Sequence, residues 1–173
     1  MTRDATTPAL VLVGPPGAGK TTVGELLAKR RGVDFRDTDR DVEARTGTTI
    51  ADIFVEHGES HFRDLERVAV RRALDEHDGV VALGGGAVLD PSTRDLLRGR
   101  RVVFLDVSLA TAAERVGLNR SRPLLAVNPR ATLARLLDER RPLYVEVAAV
   151  TVSTDNRTPD EVADEVEAGL EQP

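Results

Sequence analysis

The 173-residue sequence has no cysteine and no tryptophan, and only one tyrosine and four phenylalanines. The lack of cysteine excludes disulfides, thiolate metal sites and cysteine nucleophiles. So few rings leave little for stacking on bases. Positive charge is also short: 24 Lys and Arg against 29 Asp and Glu give a net charge of −5, the wrong sign for a protein that grips a nucleic-acid backbone. No apolar run approaches the ~20 residues that span a membrane. The first residues lack the basic region, apolar core and cleavage site of an export signal. These absences predict a cytoplasmic protein with neither nucleic acid nor membrane as partner. The length suits one domain with a substantial core, and 40% hydrophobic with 31% charged residues argues against general disorder.

Five short apolar runs punctuate the chain: residues 9–13, 33–36, 80–83, 101–105 and 148–152. Continuous runs of this kind, bounded by Gly or charge, read as strands buried on both faces. Between them lie helix-like stretches near 20–30, 59–76, 91–98, 108–116, 130–146 and 158–170. Strands alternating with amphipathic helices predict an α/β fold: an open parallel sheet, right-handed crossovers and helices on both faces. Ligands in such sheets bind at the carboxyl ends of the strands. Residues 115–130 break helical periodicity and carry four arginines, one glycine and two prolines. A basic loop of this length suits a lid or binding loop better than a plain connection.

The sharpest signal is Gly14-Pro15-Pro16-Gly17-Ala18-Gly19-Lys20-Thr21, which fits G-x-x-x-x-G-K-[ST] at every fixed position, directly between a strand and a helix. Its glycines let successive N–H groups turn inward on a phosphate, and the helix starting near Lys20 adds its positive end. Lys20 would bridge the β- and γ-phosphates, and the Thr21 hydroxyl would ligate Mg²⁺.

Other clusters say less alone. Asp37-Thr38-Asp39-Arg40-Asp41 invites a calcium-loop reading, but such a loop needs Gly and Glu where Val42 and Thr48 stand. The acids suit a solvated helix start, or, beside a phosphate loop, a Mg²⁺-shell ligand (Asp37) and a group facing a substrate hydroxyl (Asp39). His57 and His61 flank Gly58 without the H-E-x-x-H pattern of a zinc site. Gly84-Gly85-Gly86 ends a strand, where three glycines suggest close approach of something to the backbone. Arg63, Arg122 and Arg140 matter if they converge on an anion, for which a guanidinium fork is suited.

Taken in order, G-P-P-G-A-G-K-T at 14–21, D-T-D at 37–39, T-G-T-T-I-A-D-I-F at 46–54, G-E-S-H-F-R at 58–63, L-G-G-G-A-V at 83–88, R-P-L-L-A at 122–126 and R-R-P-L-Y at 140–144 resemble the shikimate kinases. The resemblance runs from about residue 9 to 170. It implies a three-layer α/β/α P-loop fold with about five parallel strands in one domain over 1–173, a substrate-binding segment near 37–65 and a lid near 117–130. It implies transfer of the ATP γ-phosphoryl group to the 3-hydroxyl of shikimate, with Mg²⁺ as cofactor, by a monomer. Residue by residue, it places ATP on Gly17, Ala18, Gly19, Lys20, Thr21 and Thr22, with Arg115, Arg122, Arg157 and Pro159 reaching the nucleotide. Thr21 and Asp37 fall on the Mg²⁺ positions. Asp39, Arg63, Arg140 and the glycines 84, 85 and 86 fall on the shikimate positions. Lys20, Asp39 and Arg122 would carry the catalysis. Two other readings are a kinase of another small metabolite, such as gluconate, and a nucleotide-switch module that hydrolyses ATP slowly. The second leaves Asp39, Arg63 and Arg140 without a task.

Overall fold

The computed structural model describes residues 7–117 and 128–172. Its centre is a five-stranded, wholly parallel sheet in the order β2-β3-β1-β4-β5. The strands are β1 (Leu10–Val13), β2 (Phe35–Asp37), β3 (Val80–Ala82), β4 (Val102–Asp106) and β5 (Val150–Ser153). All five predicted strands are present. Pleating splits each apolar run between two faces. Leu10, Leu12, Val80, Ala82, Val103 and Leu105 pack under α1 (Lys20–Arg31), α5 (Leu109–Val116) and α7 (Pro159–Glu171). Val11, Val13, Val81, Val102 and Phe104 face the helices α3 (Ile50–Glu76), α4 (Pro91–Leu97) and α6 (Pro129–Val147). No helix among the described residues is long and apolar enough to cross a membrane.

The β2–β3 connection holds more helix than the periodicity predicts. A short helix, α2 (Thr38–Thr46), follows β2 directly, and α3 starts at Ile50 rather than near 59. Only Thr38 and Val42 of α2 are buried, so its remaining polar positions gave no apolar stripe to read. What makes it a helix is its ends. The Asp37 side chain accepts from the N–H groups of Asp39 and Arg40, and Gly47 closes it in the left-handed conformation. Helix α3 is capped by Thr49 and bends at Gly58, where φ is 83° and ψ 170°. The bend separates a first arm, held by Ile53 against Phe62, Ala69 and Val42, from the long arm that lies on the sheet.

Candidate active site

At the carboxyl end of the central strand the chain turns through the phosphate loop into α1. Gly17 and Gly19 take φ values of 80° and 87°, which side-chain-bearing residues rarely adopt. Gly19 thereby becomes the cap of α1, whose positive end faces the loop. The Lys20 ammonium donates to the carbonyls of Gly14 (2.7 Å) and Pro15 (3.1 Å), so it lies over the loop. A cleft of about 490 Å³ opens here, lined by Pro16, Gly17, Gly19, Lys20, Thr21, Thr22, Asp37, Asp39, Leu83, Gly85 and Arg115.

Asp37 caps a helix, and it also reaches the phosphate loop. One carboxylate oxygen caps α2 and the other accepts from the Thr21 hydroxyl at 3.1 Å. The cap therefore fixes a carboxylate beside the phosphate-loop threonine. Asp39, in the first turn of α2, faces the glycine turn: a Cβ on Gly84 would lie 2.5 Å from its Oδ1 and 2.8 Å from Glu66 Oε2. Burial, then the charges of Glu66 and Asp37, push the Asp39 carboxyl up to about 7, against opposing pulls from Lys20 and Arg63.

The structure brings Arg63 and Arg140 to the same end of the site, from α3 and α6. Arg63 donates to Glu66 (2.7 Å) and Glu59 (3.2 Å). Burial works against its charge, but the two glutamates more than compensate and hold its pKa above the usual arginine value. Gly86 accommodates this guanidinium, since a Cβ there would stand 2.4 Å from Nη1. Arg140 is 5% exposed. Its Nε is buried without a hydrogen-bond partner, and no carboxylate among the described residues lies within ion-pairing distance of it. The glycine turn is pinned on both sides: Gly84 N–H donates to the buried Thr38 hydroxyl (3.2 Å), and Gly85 O accepts from the Tyr144 hydroxyl (2.5 Å).

A neighbouring cavity of about 320 Å³ is lined by Ala18, Gly19, Thr22, Val23, Arg115, Thr154, Arg157, Pro159 and Val162. Arg115 braces its wall, donating to Gly17 O (3.1 Å) and to the hydroxyl and carbonyl of Thr154 (both 2.9 Å). Arg157 pairs with Glu165, and Pro159 opens α7. Arg122 and most of the expected lid lie outside the described residues. His57 and His61 are exposed, their rings 4.9 Å apart.

Sequence reasoning passed over Thr38, Glu66, Tyr144 and Thr154. Glu66 is the most consequential, being 4% exposed, ion-paired with Arg63 and close to Asp39. Burial raises its pKa against the pull of Arg63 and Arg140. The available signal was its place three residues after Arg63 on one helix face. It looked like one more surface glutamate.

Over most of its length the chain that carries this site is similar to known proteins. The family model for shikimate kinase matches residues 16–171. The chain belongs to the shikimate kinase family. A family relative, the shikimate kinase of Salinispora arenicola, is 61% identical over 163 residues, covering 94% of this chain and 98% of its own. A solved structure of the Acinetobacter baumannii shikimate kinase in complex with shikimate superposes with a TM-score of 0.90 at 39% identity, covering 96% of this chain and 94% of that one. A Sinorhizobium meliloti gluconokinase reaches a TM-score of 0.60 at 24% identity, covering 96% and 93%, which speaks for a common fold alone. Family membership makes this chain an ATP-dependent small-molecule kinase, and the alternatives of a gluconate kinase and a switch module fall away.

Proposed function

We propose that the chain transfers the γ-phosphoryl group of ATP to the 3-hydroxyl of shikimate, with ATP over Gly17–Thr22 and shikimate between Asp39 and the two arginines. Arg140 carries this reading. A buried guanidinium with an orphaned Nε is costly unless an anion completes it. The carboxylate of shikimate supplies that anion, and Arg63 offers a second fork nearby. This is how a protein of net charge −5 selects an acid: the local field decides, and the total charge does not.

Roles for the remaining residues follow from their chemistry. Phosphoryl transfer needs positioning and charge neutralisation more than covalent help. The loop N–H groups and Lys20 would hold the phosphates, Lys20 exchanging its loop carbonyls for phosphate oxygens. Asp39, at the rim of the phosphate cleft, would orient the acceptor hydroxyl and take its proton as the O–P bond forms. The glycine turn would admit the ring close to its backbone. Arg115, Arg157 and Pro159 would border the adenine, and Arg122 would reach the transferring phosphate when the 117–130 segment covers the site and excludes water.

The donor set at the head of α1 fits Mg²⁺. It consists of oxygens only, the Thr21 hydroxyl and the Asp37 carboxylate, which suits a hard cation that keeps waters and phosphate oxygens in its shell. Thr21 would ligate it and Asp37 would complete its shell. Bound there, Mg²⁺ supplies neutralisation of charge on the phosphate oxygens.

A coupled ADP-release assay with Mg-ATP tests the reading, comparing shikimate, gluconate, nucleoside monophosphates and no acceptor. Release that depends on shikimate is the expected result. Release with gluconate or a nucleotide would replace the acceptor, and slow release indifferent to all of them would remove it.

A further inference from the structure

Among the buried side chains that the roles above leave unused is Thr154, just beyond β5. It is 2% exposed, where a valine of the same shape would fit, so the hydroxyl needs its own explanation. Its N–H already donates to Asp106 O at the end of β4 (2.9 Å), which joins the two strand ends without help. The hydroxyl donates its one proton to the same carbonyl (3.1 Å), which leaves its lone pairs for a donor. Arg115 Nη1 is that donor at 2.9 Å, while Nη2 donates to Thr154 O, also at 2.9 Å. A single residue thus takes both prongs of the guanidinium fork. Nη1 donates also to Gly17 O (3.1 Å), so the fork bridges the end of β5 and the phosphate loop. Gly17 packs closely on the helix that carries Arg115: a Cβ there would lie 3.0 Å from Ala112 O and 3.2 Å from Val116 Cγ1. Arg115 itself is exposed, and without these bonds so long a side chain would sample many rotamers.

We propose that Thr154 is a positioning residue for the nucleotide: its hydroxyl, anchored on Asp106 O, holds the Arg115 guanidinium between the end of β5 and the phosphate loop before the nucleotide arrives. The proposal rests on the reading in which Arg115 borders the adenine. Arg115 lines both the phosphate cleft and the neighbouring cavity, and Thr154 lines the second; that reading gives both spaces to the nucleotide. The hydrogen bonds of the two side chains reach β4, the end of β5 and the phosphate loop, and among the described residues none reaches Arg63, Arg140 or the glycine turn. A long side chain fixed in advance has given up its freedom before binding, which is where affinity is otherwise lost.

Four variants test it: Thr154→Val, Thr154→Ser, Arg115→Ala and the Thr154→Val, Arg115→Ala double variant. Each is measured by calorimetric titration with ADP, which needs no acceptor, by steady-state kinetics in shikimate and by thermal melting. Thr154→Val should fold, because Asp106 O keeps the backbone N–H at position 154 and Arg115 keeps its two carbonyl partners. The expected result is an ADP affinity lowered about fivefold, the order of one hydrogen bond, with shikimate KM and kcat within about twofold. Thr154→Ser keeps the hydroxyl and should bind ADP within about twofold of the parent. In the Arg115→Ala background, Thr154→Val should add less than about twofold, because the effect passes through Arg115. An unchanged ADP affinity in Thr154→Val beside a lowered one in Arg115→Ala overturns the proposal alone. So do equal losses in Thr154→Val and Thr154→Ser, losses that multiply in the double variant, or a weaker ADP affinity and a raised shikimate KM that together track a lower Tm. An unchanged ADP affinity in Arg115→Ala overturns the placement of the nucleotide at Arg115 and this proposal with it.

Discussion

Replacing Arg140 by methionine separates what the residue does for the fold from what it does for the substrate. The exchange keeps an unbranched side chain of similar reach and removes the charge. With nothing bound, the arginine is a liability to the fold: it is 5% exposed, with an unpartnered Nε and no carboxylate in contact among the described residues. Apolar replacement of a whole buried ion pair is often neutral, or stabilising by about 1–4 kcal/mol, and a guanidinium with no carboxylate in contact has less Coulomb attraction to lose. Glu66, whose pKa Arg140 helps to lower, loses some compensation, so the lower end of that range is expected. Substrate binding should move the other way. Each hydrogen bond from a charged donor is worth about 1.5–3 kcal/mol, so a fork of two on a carboxylate stands for at least about 3 kcal/mol, or roughly 100-fold in affinity. Calorimetric titration with shikimate and with an ATP analogue, beside melting curves, reads all three quantities. The expected pattern is shikimate affinity down about 100-fold or more, nucleotide affinity within about twofold, and Tm unchanged or higher. A lower Tm with both affinities falling together would refute the reasoning, because it would make Arg140 a structural residue.

Three further outcomes follow from the same site. Asp39→Asn should lower kcat by at least about 100-fold, the smaller end of what a positioned base contributes, and near-normal turnover in the coupled assay would remove Asp39 from proton transfer. Gly86→Ala should raise the shikimate KM several-fold and lower the Tm somewhat, as Arg63 is pushed away from the buried Glu66. The Gly86 backbone, at φ −97°, tolerates a side chain, but the new Cβ would displace the Arg63 guanidinium; an unchanged KM would argue against Arg63 as a substrate ligand. Asp90→Asn tests a contribution to the fold: the Ser92 hydroxyl, joined by Arg67, holds the Asp90 carboxyl down to about 2 against its partial burial. Because the folded pKa lies below the ordinary 3.8, the stabilisation is present above about pH 4 and is lost as pH falls through 2. The variant should therefore be less stable at pH 7 by roughly 0.5–1 kcal/mol and match the parent near pH 2 in chemical denaturation. A constant difference across that range would reject the charge argument.

The sheet was legible because buried parallel strands show as unbroken apolar runs, and the phosphate loop because its backbone geometry admits few residue types. Helix α2 was not, since Asp37 and Gly47 define it at its ends while its interior carries almost no apolar signal. The pairing of Arg63 with Arg140 depends on two helices from distant parts of the chain meeting at one end of the sheet. Resemblance supplied that pairing, and local pattern could not. Glu66 and Tyr144 were hidden for opposite reasons. A buried glutamate reads like a surface one, whereas the packing of Tyr144 made its hydroxyl easy to overlook. Asp37 shows that a carboxylate can cap a helix with one oxygen and still offer the other to a neighbouring hydroxyl, here that of Thr21.

The β2–β3 crossover has only to return the chain to a neighbouring strand, and any two helices of suitable length could do so. Here it carries Asp39, Arg63 and Glu66, the greater part of the acceptor pocket proposed above, while the phosphate loop and the wall of the neighbouring cavity belong to elements it does not interrupt. On the proposed function the chain would be divided into an engine for phosphoryl donation and an exchangeable cassette that chooses the acceptor. Redesign for another polyhydroxylated acid could then be confined to that cassette, the glycine turn and the Arg140–Tyr144 turn of α6, with the donor half left as it stands.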